Sequence, residues 1–132
     1  MLIGLRKRFI VRVLTDTVVK VFNIAKADKN EIMTEVFKSK AIAVGSPTVS
    51  NSILSSVAGW MEFLKQLKFK NKQAAAFGCY GWSGESVKIL QAKLAEAGFK
   101  VIEENIRSQW NPEETDLVKV PEFVTSLLNQ NV

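Results

Sequence analysis

Two short apolar runs with an amphipathic helix between them restrict this 132-residue chain more than any other feature. Ala41-Ile42-Ala43-Val44, closed by Gly45, and Gln73-Ala74-Ala75-Ala76-Phe77, closed by Gly78, are small or apolar segments of strand length. Strands of this composition, without polar alternation, are those covered on both faces. Between them Val57, Trp60, Met61, Leu64 and Leu67 recur at helical spacing and mark one face of a helix. A strand, a crossover helix and a second buried strand imply parallel pairing within a helix-covered sheet.

The alternation continues in both directions. Thr17-Val18-Val19-Lys20-Val21-Phe22-Asn23 is short and β-branched, as strands are. Asp28 with Glu31 three residues on has the spacing of a capping box, and Ile32, Met33, Val36 and Phe37 supply the face of the helix it opens. Val87, Leu90, Leu94 and Ala97 mark a further helix that Gly98 ends, and Phe99-Lys100-Val101-Ile102 begins the next strand. After the turn-like Trp110-Asn111-Pro112, a last helix presents Val120, Phe123, Val124, Leu127 and Leu128. No repeat, linker or low-complexity tract interrupts the pattern, so residues 1–132 are expected to form one α/β domain, with residues 1–16 an atypical N-terminal segment.

Composition removes whole classes of chemistry. The chain has no histidine, which excludes Ser-His and Cys-His catalysis and any histidine metal site. One cysteine allows neither an internal disulfide nor iron–sulfur ligation, and no catalytic or metal-binding residues are assigned. The acids Glu62, Glu85, Glu103, Glu104, Glu113 and Glu114 form no acid/base pair in the sequence pattern, so a bound organic cofactor is the natural source of chemistry. No apolar run approaches the ~20 residues of a membrane helix. The start lacks the order of a signal peptide, and the cytoplasm is the expected location. The net charge of +5 is uneven, with Arg6, Lys7, Arg8 and Arg12 ahead of the first acid, Asp16. That cluster carries no interleaved aromatic residues and reads as a solvated basic edge rather than a nucleic-acid site.

Ligands on open α/β sheets bind beyond the carboxyl ends of the strands. Two loops in that position are rich in glycine, hydroxyl and aromatic residues: Gly45-Ser46-Pro47-Thr48-Val49-Ser50-Asn51 and Gly78-Cys79-Tyr80-Gly81-Trp82-Ser83-Gly84. In a parallel sheet both lie at one edge. Glycines in the second allow sharp turns and close approach, while Tyr80 and Trp82 offer flat surface to an aromatic ring.

These loops, with Asp28-Lys29-Asn30-Glu31-Ile32, Phe69-Lys70-Asn71-Lys72 and Trp110-Asn111-Pro112, resemble the flavodoxin-like domain of flavodiiron proteins (the A-type flavoproteins, flavorubredoxins included) over about residues 18–117. The resemblance implies a three-layer sandwich around a mostly parallel five-stranded sheet of order 2-1-3-4-5. It also implies an FMN cofactor, with Ser46, Pro47, Thr48, Val49, Ser50 and Asn51 on one side of the isoalloxazine ring. Cys79, Tyr80, Gly81, Trp82, Ser83 and Gly84 would lie on the other. In that family the domain passes electrons to a diiron site in a separate domain, which makes a diiron domain or a rubredoxin-like donor the implied partner.

The sequence departs from the family at its start. Residues 1–16 hold nothing like the hydroxyl-rich loop that cradles the FMN phosphate, and Asp16 between Thr15 and Thr17 is a poor neighbour for an anion. Ser50 stands where the family commonly has asparagine, Ser55 where it often has proline, and Cys79 where serine is usual. The central first strand is atypical. Arg8-Phe9-Ile10-Val11-Arg12-Val13-Leu14 has strand character and lies too close to residues 17–23 to pair with them except as an antiparallel hairpin. That hairpin, or exchange of segments between two chains of a homodimer, would fill the central place. The alternative makes residues 2–14 a worn remnant of the first helix. Two functions follow: an FMN-binding electron-transfer module, or a flavodoxin-like scaffold that no longer holds FMN tightly.

Overall fold

The computed structural model describes residues 2–3, 19–82, 84–110 and 113–129, with the backbone alone for Leu2, Ile3, Leu117 and Asn129. Its strands are β1 (Leu2–Ile3), β2 (Val21–Phe22), β3 (Ala41–Gly45), β4 (Gln73–Tyr80), β5 (Lys100–Val101) and β6 (Ile106–Gln109). The helices are α1 (Lys29–Lys38), α2 (Ser55–Gln66), α3 (Glu85–Glu96), α4 (Glu114–Leu117) and α5 (Val120–Asn129). The sheet runs β2-β1-β3-β4-β5, with β6 also on β4, and every pairing between these strands is parallel. This is the doubly wound order that the family resemblance implies.

The centre of the sheet differs from the expected hairpin. Leu2 and Ile3 pair in parallel with Val21 and Phe22 on one side and with Ala43 and Val44 on the other. The physical reason is chain length: residues 4–20 separate β1 from β2, which is room enough for a parallel crossover. The chain's own N-terminus thus fills the central place, and closing the sheet needs no exchanged segment. The run 8–14, to which strand character was assigned, lies outside the described residues. Of the β-branched run expected from Thr17, the described residues 19–23 pair at Val21–Phe22.

The far edge is one strand position shared by two pieces. β5 pairs with Gln73–Ala74 and β6 with Phe77–Tyr80. From Ala74 to Phe77 is three steps along β4, while the edge takes five, from Val101 to Ile106. The two extra residues form a bulge that re-aims the edge before its carboxyl end.

Strand alternation sorts the core into two layers. Ile42, Val44, Ala74 and Ala76 pack with Ile32, Met33 and Val36 of α1, Val57, Trp60, Met61 and Leu64 of α2, and Val87, Leu90 and Leu94 of α3. Ala43, Ala75 and Phe77 face the opposite side, against Val120, Phe123, Val124 and Leu127 of α5. Three consecutive alanines in β4 let helices approach both faces closely. Phe37 and Leu128, read as core, are instead 58% and 43% exposed. Phe37 lies across Phe69, with ring centroids 4.7 Å apart.

Helix ends follow local chemistry. Asp28 caps α1 by accepting from the Asn30 and Glu31 amides at 2.7 and 3.3 Å. Lys72 donates to the Phe37 and Ser39 carbonyls where α1 stops, and burial holds its ammonium below the usual lysine range. α3 ends in a Schellman motif: Gly98 at φ +96°, its N–H on Ala95 O, and the Phe99 N–H on Leu94 O, both at 3.1 Å. Among the described residues no helix is long and apolar enough to cross a membrane.

Candidate functional site

The strand order reverses direction between β1 and β3, and ligands of open α/β sheets sit beyond the carboxyl ends at such a switch point. The loops after β3 and β4 both open there, and direct bonds join them. The Ser46 N–H donates to Phe77 O at 3.3 Å, and the Thr48 N–H to Cys79 O at 2.9 Å. Thr48 also reaches the helix beyond the second loop: its Oγ1 accepts the Ser86 N–H at 3.3 Å. Gly84, the N-cap of α3, has no side chain to do this, so the first loop supplies the cap.

The first loop is tied internally as well. The buried Ser46 hydroxyl donates to Pro47 O at 2.8 Å and accepts the Leu54 N–H at 3.0 Å. Val49 and Ser52 exchange two backbone bonds, at 2.8 and 2.9 Å, around Ser50 and Asn51. Both of these residues have positive φ, 50° and 60°, as a type I′ turn requires. Asn51 suits that conformation and Ser50 does not. Ser50→Asn should therefore raise stability by about 0.5–1 kcal/mol, read as a higher urea midpoint with an unchanged slope.

Two glycines make the close approach of the loops possible. A Cβ on Gly45 would sit 1.9 Å from the Phe77 ring, and one on Gly78 would sit 2.5 Å from Ser46 O and 2.8 Å from Ser86 Oγ. The backbones of β3 and β4 meet there with no space for a methyl group.

The structure brings together nearly all the residues expected from sequence. Ser46 is buried beneath the first loop, with Pro47 and Thr48 half-buried and Val49, Ser50 and Asn51 exposed above it. Cys79 and Tyr80, read as loop, are instead the last residues of β4, held by pairing to Ser108 and Gln109. The second loop is thus shorter than its sequence suggested, and Trp82 stands at its tip, 97% exposed. Ser83 lies outside the described residues.

Sequence reading did not place Trp110 in the site. Its N–H donates to Tyr80 O at 2.8 Å, and its ring lies over Gly81, where a Cβ would be 2.9 Å from Cη2. The Gln109 amide reaches Gly81 O at 3.5 Å. Beside it, an open groove of about 490 Å³ runs between Tyr80, Arg107 and Gln109 on one side and Asp116 and Lys119 on the other. The Trp110-Asn111-Pro112 motif was the available signal.

A doubly wound parallel sheet with paired glycine- and aromatic-bearing loops at its switch point defines a nucleotide- or flavin-type α/β domain. The chain belongs to the flavodoxin family, whose model, described as Flavodoxin, matches residues 10–122. Its flavodoxin-like domain matches those of flavorubredoxins and flavodiiron proteins. It is 44% identical over 112 residues to the anaerobic nitric oxide reductase flavorubredoxin of Aeromonas hydrophila, covering 85% of this chain and 22% of that protein. The solved rubredoxin oxygen:oxidoreductase of Desulfovibrio gigas superposes with a TM-score of 0.82 at 32% identity, over 89% of this chain and 31% of that one. Flavodoxin 1 of Bacillus cereus shares the fold, with a TM-score of 0.78 at 19% identity over 99% and 96% of the two chains. The chain therefore spans about a fifth of the flavorubredoxin and a third of the oxidoreductase.

Proposed function

We propose that this chain is an FMN-binding electron-transfer domain of the flavodiiron type, acting in the cytoplasm with a rubredoxin-like donor or a diiron domain rather than as a stand-alone catalyst. The observation that carries this reading is the Thr48 link, which holds two ring-compatible loops side by side at the switch point. Their exposed flat surface, Trp82 above all, suits the isoalloxazine ring of FMN.

In this reading Ser46 to Asn51 border one side of the ring and Cys79 to Gly84 the other. Bound there, FMN would supply one- and two-electron chemistry that no side chain of the protein has. The protein's part is to orient and exclude water. Backbone N–H groups of the two loops supply donors for the ring's polar edge, and the α3 N-terminus at Gly84 adds positive potential near it. The two-residue strand extension through Cys79 and Tyr80, paired to β6, keeps the second loop from yielding when the ring enters.

A specific observation keeps a second reading alive. The residues that follow β1, from Gly4 to Asp16, hold a single hydroxyl side chain, Thr15, where the resemblance requires a hydroxyl-rich phosphate cradle. Each charge-assisted bond to phosphate contributes roughly 1.5–3 kcal/mol, so a chain without the cradle would be a flavodoxin-like scaffold with weak FMN binding.

The electron-transfer reading is tested by mixing the FMN-loaded protein anaerobically with reduced rubredoxin. Bleaching of the flavin absorption, saturable in rubredoxin, is the expected result. A flavin that stays bound and oxidised at every rubredoxin concentration would contradict transfer from such a donor, and a flavin lost on dilution would leave the scaffold reading.

A further inference from the structure

Trp110 stands out because its backbone angle, its exposure and the place of its ring are not what its position at the end of β6 requires. It is a bulky residue at φ 59°, a conformation that is strained for any side chain of its size. It is 70% exposed, so burial of its ring does not hold it there. Its N–H continues the β4–β6 ladder onto Tyr80 O at 2.8 Å, and its ring then covers Gly81, with Cη2, Cζ2 and Cζ3 at 2.9, 3.1 and 3.2 Å from a Cβ built on that glycine. Among the described residues, the contact that distinguishes Trp110 is that of its ring with the backbone at Gly81.

We infer that Trp110 is a positioning residue for the flavin site, a brace that fixes the backbone of the second loop at Gly81 from outside. The inference rests on the flavin reading proposed above. The loop after β4 is anchored at one end by Thr48, through Cys79 O and the Ser86 N–H. At its other flank the anchors are Trp110 and the Gln109 amide on Gly81 O. Between them lies the stretch from Tyr80 to Gly84, with Trp82 nearly free in solvent. Among the described residues of that stretch the exposed Trp82 adds no buried contact, so the place of Gly81 depends on what is tied to it. Gly81 is glycine because the Trp110 ring takes the space a side chain would need. The pair acts as a unit: a ring on one side and a missing methyl on the other.

This coupling gives a test that a general loss of stability does not reproduce. FMN dissociation constants are measured by flavin fluorescence for the full chain and for Trp110→Ala, Trp110→Phe, Gly81→Ala and the double variant Gly81→Ala with Trp110→Ala. Each alanine single variant should weaken binding about tenfold, as for contacting residues that act through one another. Trp110→Phe should recover most of the loss. The double variant should bind no worse than either single one, since the added methyl then meets open space. The visible absorption band of bound FMN should shift in the alanine variants and not in Val118→Ala, a control at a residue 76% exposed. Additive losses, or unchanged affinity and spectrum in Trp110→Ala, would overturn the inference. Should the unaltered chain take no flavin, the flavin reading fails by itself. Amide hydrogen exchange at residues 80–84 then decides the brace: faster exchange in Trp110→Ala but not in Val118→Ala supports it, and equal exchange overturns it.

Discussion

Replacing Gly78 by alanine should unfold the site and cost about 1–3 kcal/mol or more, the range for forcing a methyl group into closed packing. The added Cβ would meet the Ser46 carbonyl oxygen at 2.5 Å, Ser86 Oγ at 2.8 Å and Val87 Cγ2 at 3.2 Å. The first of these is backbone and the other two belong to buried side chains, so none can swing away. Relief requires that β3 and β4 part at their carboxyl ends, which also pulls Thr48 from Cys79 and Ser86. Flavin affinity should fall by about 10–100-fold, the strain of about 1–3 kcal/mol expressed as a dissociation constant. The same substitution elsewhere should act in the opposite sense. Gly59 lies inside α2, where a Cβ would meet nothing nearer than Lys29 Nζ at 3.9 Å. Gly59→Ala should stabilise by about 0.5–1 kcal/mol, because alanine loses less chain entropy in a helix. Urea midpoints for the two variants, moving in opposite directions, are the check. Loss of stability at both positions would show that the close approach at Gly78 is not the cause.

The second large effect is expected at Trp60. This side chain is completely buried in the layer between the sheet and α1, α2 and α3. Trp60→Ala should cost about 3–5 kcal/mol, through lost transfer energy and the cavity left behind. Trp60→Phe should behave differently from an ordinary cavity mutation. The indole Nε1–H is buried and meets no acceptor among the described residues. An unsatisfied donor costs about 1–3 kcal/mol, and phenylalanine removes it while keeping most of the ring. The two terms offset, and Trp60→Phe should lie within about 1 kcal/mol of the parent in urea unfolding. A loss as large as that of alanine would mean that the indole N–H is satisfied.

The sequence makes plain whatever depends on neighbours along the chain. The buried runs at Ala41–Gly45 and Gln73–Phe77 announce strands covered on both faces, and their structure follows. The faces of α1, α2 and α3 are visible as spaced apolar residues, and Gly98 ends α3 as its position requires. Parallel order and the location of both loops then follow from topology. What stayed hidden depends on partners distant in sequence. Leu2–Ile3 is too short to show any period, and its place in the sheet comes from Ala43 and Val44. The bulge that splits the far edge into β5 and β6 is a matter of register against β4. Phe37 fits the apolar pattern of α1 but lies at its rim, against Phe69 rather than the sheet. The cap that Thr48 gives α3 joins residues 38 positions apart. Trp110 stands in a motif visible in the sequence, but its backbone angle and its contact with Gly81 are tertiary features that the motif does not announce.

The central claim is that the two joined loops form a site for the flavin ring. The most direct measurement is a titration of the purified chain with FMN and with riboflavin, followed by quenching of flavin fluorescence. Riboflavin carries the ring without the phosphate, so it reports on the loops alone. The account predicts saturable quenching by both flavins, with FMN preferred by no more than about 10–100-fold, equivalent to one charge-assisted phosphate contact. Quenching by neither flavin at millimolar concentration would contradict it, and the chain would then be a flavodoxin-like scaffold without a ring site.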